Sequence, residues 1–146
     1  MRGRRKAREI ALQVLYGLNF VNVDVQEALD LFWGNFVAPK TAKEFAAFLV
    51  QGICEHKEEL DNLIAGCSDN WSLGRMSRVD INILRLAVFE FLYCEDIPPK
   101  VTLNEAVDLG KTFGSENSGS FINGILDALN LQLNSKNATK HLDRKS

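Results

Sequence analysis

The chain has 146 residues, of which 46% are hydrophobic and 25% charged, the balance of a soluble globular protein rather than a disordered or fibrous one. That length favours one domain and buries enough surface to fold without a metal or a disulfide. The net charge of −2 hides a segregation: residues 1–8 carry +5, residues 9–135 carry −10 and residues 136–146 carry +3, so an acidic body has basic ends.

Ala7, Ile10, Ala11, Val14, Leu15 and Leu18 recur at helical spacing and predict a helix over about 4–20. The basic cluster Arg4-Arg5-Lys6-Ala7-Arg8 lies in its first turns. Cations there oppose the helix dipole by a few tenths of a kcal/mol each, so a partner explains them better than stability does. Val25, Leu29, Phe32 and Phe36 predict a second, short helix. Phe32 and Trp33 are adjacent and cannot both face one core, which makes one of them a candidate oligomer contact. Pro39 breaks the chain, and Thr41-Ala-Lys-Glu44 reads as a capping box opening a helix from 42 to about 66. Its apolar residues include Phe45, Phe48, Leu49, Ile53, Leu60 and Ile64.

A connector over Cys67–Gly74 holds Trp71. Ser77-Arg-Val-Asp80 then starts a helix over 78–94 that is apolar nearly all round, the pattern of a buried central helix. Pro98-Pro99 ends it. Thr102-Leu-Asn-Glu105 reads as a third box, opening a helix to Phe113 with Gly114 as its C′ residue. After a polar loop, a last helix is expected over about 120–133, followed by a frayed tail. No strand pattern occurs. The expected fold is therefore all-α. Residues 1–134 form one domain of two packed three-helix bundles, at about 4–66 and 77–134, and 135–146 are a flexible tail.

Little here suggests catalysis. The two histidines, His56 and His141, are far apart, and Glu55-His56 does not begin a helical zinc motif. Glu58, Glu59 and Asp61 read as a solvated face. Gly110-Lys111-Thr112 resembles the end of a P-loop but lacks the upstream glycine and lies in a helix. Cys54, Cys67 and Cys94 make no C-x-x-C pair and read as reduced, mostly buried thiols of a reducing compartment. No apolar run is long enough for a membrane span, and Glu9, Gln13 and Asn19 interrupt what a secretory signal would need. No catalytic residue, cofactor or metal is expected.

The basic cluster is the strongest chemical feature. Arginine grips phosphates bidentately, and clustered cations gain affinity by releasing counterions from nucleic acid. Gln13 and Tyr16 lie on the same helix as candidate readers of unstacked bases. The loop Phe113-Gly-Ser115-Glu-Asn117-Ser118, flanked by Phe121, is a second candidate surface, although both phenylalanines also suit a core. Replacing Arg5 and Arg8 together by Ala is expected to flatten the salt slope of RNA binding by about 1–2 units.

These residues carry a family resemblance. Arg4 to Glu9 followed by Ala11-Leu-Gln-Val-Leu-Tyr16 resembles the opening of NusB transcription antitermination factors. Asp80-Ile-Asn-Ile-Leu-Arg85-Leu-Ala-Val-Phe-Glu90 resembles the family's central helix. Pro99 to Leu109, Phe113-Gly114 and Ser118 to Leu126 resemble its C-terminal signature. The resemblance implies a cytoplasmic, all-helical RNA-binding protein. It would bind the boxA element of nascent single-stranded RNA, pair with the ribosomal protein NusE and join the RNA polymerase antitermination complex, including on ribosomal RNA operons.

It implies RNA-binding roles for Arg4, Arg5, Lys6, Arg8, Gln13, Tyr16, Phe113, Ser115, Asn117, Ser118 and Phe121. It implies a partner surface at Asp80, Arg85 and Glu90. Some members resemble dimers, so a homodimer stays open. The alternatives are a protein-interaction module and a stand-alone domain for ribosomal RNA maturation without boxA specificity. A fused methyltransferase is not expected, since the chain stops at Ser146. Gly3 interrupts the basic run and is expected to loosen the first turn, and residues 21–40 match nothing recognisable.

Overall fold

A computed structural model describes the backbone of residues 2–20, 23–33, 38–68 and 72–145, with side chains described from Gly3 to Asn134 within those stretches. Among the described residues there are seven α-helices: α1 (Arg2–Leu18), α2 (Val25–Trp33), α3 (Lys40–Glu55), α4 (Lys57–Gly66), α5 (Arg78–Tyr93), α6 (Pro99–Phe113) and α7 (Ser118–Lys145). One 3-10 turn, Leu73–Arg75, precedes α5. Phe36 and Trp71 lie outside the described residues.

α5 is the axis of the fold. It packs against α1, α3, α4, α6 and α7. Ile83, Leu84, Leu86, Ala87 and Val88 are all buried, as the all-round apolar pattern requires. Both helical groups thus share one apolar core, which runs from Ala7 and Ile10 through Leu49, Ile53 and Leu84 to Ile122, Leu126 and Leu129. α1 lies against α3 with their starts together, since a side chain at Gly3 would meet Thr41 and Ala42. Helical geometry begins before Gly3, at Arg2, so that glycine does not interrupt it.

Several expected boundaries move, each for a physical reason. Ser77 is a true cap: its hydroxyl accepts from the Asp80 N–H at 3.0 Å. The other two boxes are not caps. α3 starts at Lys40 behind Pro39, and α6 starts at Pro99 behind Pro98, neither with a side-chain cap. Pro99 is the first helical residue, where its fixed φ and missing N–H suit the first turn, while Pro39 stands just before α3 with a non-helical ψ of 149°. The expected 42–66 helix divides at His56, where no Gly or Pro signals a break. The His56 ring instead stacks on Tyr93 at 4.5 Å, and Tyr93 donates to Glu59 Oε1 at 2.7 Å. Among the described residues the N-terminal group therefore has four helices, not three.

Gly114 ends α6 with φ of −94°, not in the left-handed region. A Cβ there would collide with the Ser118 side chain, so room rather than handedness selects glycine. α7 continues in helical form to Lys145, through the segment expected to fray. Phe32 and Trp33 pack edge-on to each other at 6.2 Å and both lean on the core; the exposed apolar residue of α2 is Leu31.

The cysteines form no disulfide among the described residues, with Cys94 buried and Cys54 and Cys67 half-buried. Burial, aided by the charges of Glu90 and Asp96, pushes the Cys94 thiol up to about 11. The thiolate is the reactive form. Cys94 is therefore expected to resist alkylation at pH 8 in the folded protein and to react faster as pH approaches its raised value. Peptide mapping after iodoacetamide checks this; prompt labelling of Cys94 at pH 8 would refute its buried placement.

Candidate nucleic-acid interface

Helical spacing puts Arg4 and Arg8 on one face of α1 and Arg5 and Glu9 on the next. The first face meets the end of α5, and the second meets α6. Arg4 Nη2 donates to Asp96 Oδ2 at 2.7 Å, and its guanidinium lies 4.8 Å from the centre of the Phe45 ring. That hydrogen bond holds the Asp96 carboxyl below its ordinary value. Arg5 forks onto Glu105, with Nε to Oε2 at 3.0 Å and Nη2 to Oε1 at 3.1 Å, and also reaches Asp108 Oδ2 at 3.1 Å. The bond to Glu105 raises Arg5 above its ordinary value. Arg5 remains largely exposed, and Lys6 is half-buried.

Arg8, expected on the RNA-binding surface, is instead buried. It is 3% exposed and Glu90 is 1% exposed. Nε donates to Oε2 and Nη2 to Oε1, both at 2.8 Å, and the Thr102 hydroxyl donates to Oε1 at 2.9 Å. Burial alone would lower Arg8, but the hydrogen bonds and charge of Glu90 raise it above its ordinary value. This is an internal tie between α1, α5 and α6. Neither Arg8 as an RNA contact nor Glu90 as a partner contact is on the surface. Thr102, read as a cap, is the third member of the tie.

Arg85 also turns inward. It forks onto Asp61 at 2.8 and 3.1 Å and donates to Asn82 Oδ1 at 3.2 Å, joining α5 to α4. Ser118 is buried; its Oγ accepts from the Ser115 N–H at 2.9 Å and sits 3.2 Å from Ser115 Oγ. It closes the loop rather than facing outward.

The remaining expected residues fall into separate places. Gln13 lines an apolar groove between α1 and α2 with Val14, Leu18 and Phe32. Tyr16 is exposed at the far end of α1, about 16 Å along the axis from Arg5 at 1.5 Å per residue. Its ring is 5.1 Å from Phe20, and Arg78 lies over Phe20 at 4.8 Å. Phe113 is exposed on the last turn of α6, and Phe121 is half-buried.

Ser115, Asn117 and Phe121 share a cavity of about 260 Å³ with Arg75 and Asp80. Asp80, expected on a partner surface, is thus beside the loop expected to touch RNA. It is 8% exposed, and its Oδ1 has no hydrogen-bond partner among the described residues. A buried acceptor left unpaired is costly and invites a donor. Sequence reading missed Arg75, Arg78 and Phe20. Their signal was faint: two arginines three residues apart bracketing a helix start, and an aromatic one turn beyond Tyr16.

Chemically, the molecule offers exposed guanidinium forks, exposed aromatic rings and a polar pocket with one unpaired acceptor. That set suits phosphates, unstacked bases and polar donors.

Comparison with known proteins gives the following likenesses. The sequence profile described as NusB family matches residues 5–130. The transcription antitermination protein NusB of Syntrophus aciditrophicus (strain SB) is 60% identical over 137 residues, covering 94% of this chain and 85% of that one. A T. maritima NusB structure superimposes with a TM-score of 0.76 at 38% identity, covering 86% of this chain and 89% of that one. The crystal structure of antitermination factors NusB and NusE in complex with dsRNA contains a chain matched with a TM-score of 0.79 at 32% identity. That match covers 88% of this chain and 96% of the other.

Proposed function

This chain belongs to the NusB family, and on that premise we propose that it is a non-enzymatic RNA-binding adaptor for transcription antitermination. In this reading it works in the cytoplasm, pairs with NusE and holds the boxA element of nascent RNA for the RNA polymerase antitermination complex, including on ribosomal RNA operons. The observation that carries the proposal is the match to a chain solved with both NusE and RNA over most of its length.

Two kinds of surface support it. Arg4, Arg5 and Lys6 supply sequence-independent phosphate contacts at the start of α1. At the other end, Phe113, Ser115, Asn117 and Phe121, with Arg75 and Asp80, supply ring faces and polar groups for bases or for a partner backbone. Tyr16, Phe20 and Arg78 extend the surface beside the start of α5. Gln13 faces a separate groove and contributes least. With Arg8 inside the fold, three of the four cations expected to touch phosphate remain for that role.

The test is RNA binding by variants of the NusE complex. Arg5→Ala is expected to weaken binding to every RNA and to flatten the salt slope by a fraction of a unit, because Glu105 and Asp108 already occupy much of its charge. Phe113→Ala is expected to weaken boxA-type RNA by roughly fivefold to a hundredfold, the worth of one base stack. Unchanged affinity in both variants would refute this assignment of the surface.

A further inference from the structure

Building on the RNA-binding reading of α1, we infer that Glu105 and Asp108, with Asp96, are specificity-determining residues. They occupy the arginine forks of α1 as internal stand-ins for phosphate and so suppress binding to RNA that lacks the correct sequence.

The geometry is that of a substituted ligand. A carboxylate and a phosphate both present paired oxygens to a guanidinium, and both suit its planar fork. Glu105 offers Arg5 both oxygens, at 3.0 and 3.1 Å, and Asp108 adds a third contact at 3.1 Å. Asp96 holds Arg4 at 2.7 Å. Arg5 is 61% exposed in its side chain and Asp108 54%, while Glu105 is 21% exposed. The Arg5 fork is therefore reachable by an incoming phosphate yet already filled, and Arg4, 28% exposed, holds Asp96 through one contact.

A phosphate arriving at Arg5 must displace a carboxylate and leave it beside Asp108 and Glu9, which share the same small cleft. The exchange returns far less free energy than binding to an unoccupied arginine. RNA held only by its backbone depends wholly on such exchanges. RNA already held by its bases or by a partner stays bound whether or not the exchange occurs. The carboxylates thus subtract more from non-specific binding than from specific binding, which is how specificity arises from a repulsive element. The sequence hints at the device: the basic end belongs to a chain whose body is acidic.

The test uses the full chain, a scrambled single-stranded RNA and a boxA-type RNA of equal length. Glu105→Gln with Asp108→Asn removes the guard at nearly constant volume, and Asp96→Asn removes the one on Arg4. Glu55→Gln with Glu58→Gln removes the same two charges at the far end of α3 and the start of α4. The Arg5 guard variant is expected to bind scrambled RNA about three- to tenfold tighter at low salt. Its salt slope should steepen by about 1 unit, its boxA-to-scrambled ratio should fall, and the control pair should stay near wild type. Asp96→Asn should act in the same direction.

Equal tightening in the control pair would mean that net charge alone is responsible, and would overturn the inference. So would unchanged binding of scrambled RNA by both guard variants, or no binding by any protein. Failure of the adaptor reading is separate: NusE would then leave the wild-type preference for boxA-type RNA unchanged, while the guard variants still bound scrambled RNA more tightly and lost that preference.

Discussion

Replacing Arg8 by Ala is expected to lower the unfolding free energy by about 3–5 kcal/mol, the usual cost of stripping one partner from a buried ion pair. Small domains have only about 5–15 kcal/mol in total. The cost is large because Glu90 is almost wholly buried and would keep only the Thr102 hydroxyl. Glu90→Ala should cost a similar amount by orphaning the guanidinium.

The pair itself need not be net stabilising. Desolvation of both charges offsets most of their attraction, so Arg8→Met with Glu90→Leu should melt nearer to wild type than either single variant. Urea unfolding followed by circular dichroism decides it. A single variant that costs less than about 1 kcal/mol would show that the pair is not buried as described. This also revises the effect expected of Arg5 and Arg8 replaced together. The change in salt slope should come from Arg5 alone, while Arg8 changes the amount of folded protein.

Leu84→Ala is the second large effect, at about 2–5 kcal/mol. Leu84 is fully buried on α5, against which α1, α3, α4, α6 and α7 all pack, so the cavity has no solvent-facing wall that could collapse into it. For a chain of this size a loss near 3 kcal/mol corresponds to roughly 6–12 °C in Tm. A shift of one or two degrees would place α5 at the periphery and undo the description of a shared core.

How far the sequence could be read depends on the range of the interaction. α5 was legible because an all-round apolar pattern and a Ser77 cap are both local. The start of α6 was misplaced because two local signals competed: Pro98-Pro99 sets a start, and Thr102-Glu105 imitates one. Only the tertiary pairing with Glu90 reveals why a threonine stands at 102. Arg8 was misread for the same reason. Its partner lies 82 residues away, and nothing in a run of five cations says which one turns inward. The residues of the loop site were largely legible as types. Their grouping with Arg75 and Asp80 was not, because it depends on how the 3-10 turn abuts the start of α7.

A partner-dependent adaptor must prefer one RNA and must do so more strongly with its partner. Fluorescence anisotropy with a boxA-type RNA and a scrambled control, with and without NusE, at two salt concentrations measures both properties. Weak, salt-sensitive binding is expected for the chain alone, with a preference for the boxA-type RNA that NusE strengthens. Equal affinity for both RNAs, unmoved by NusE, would contradict the adaptor reading.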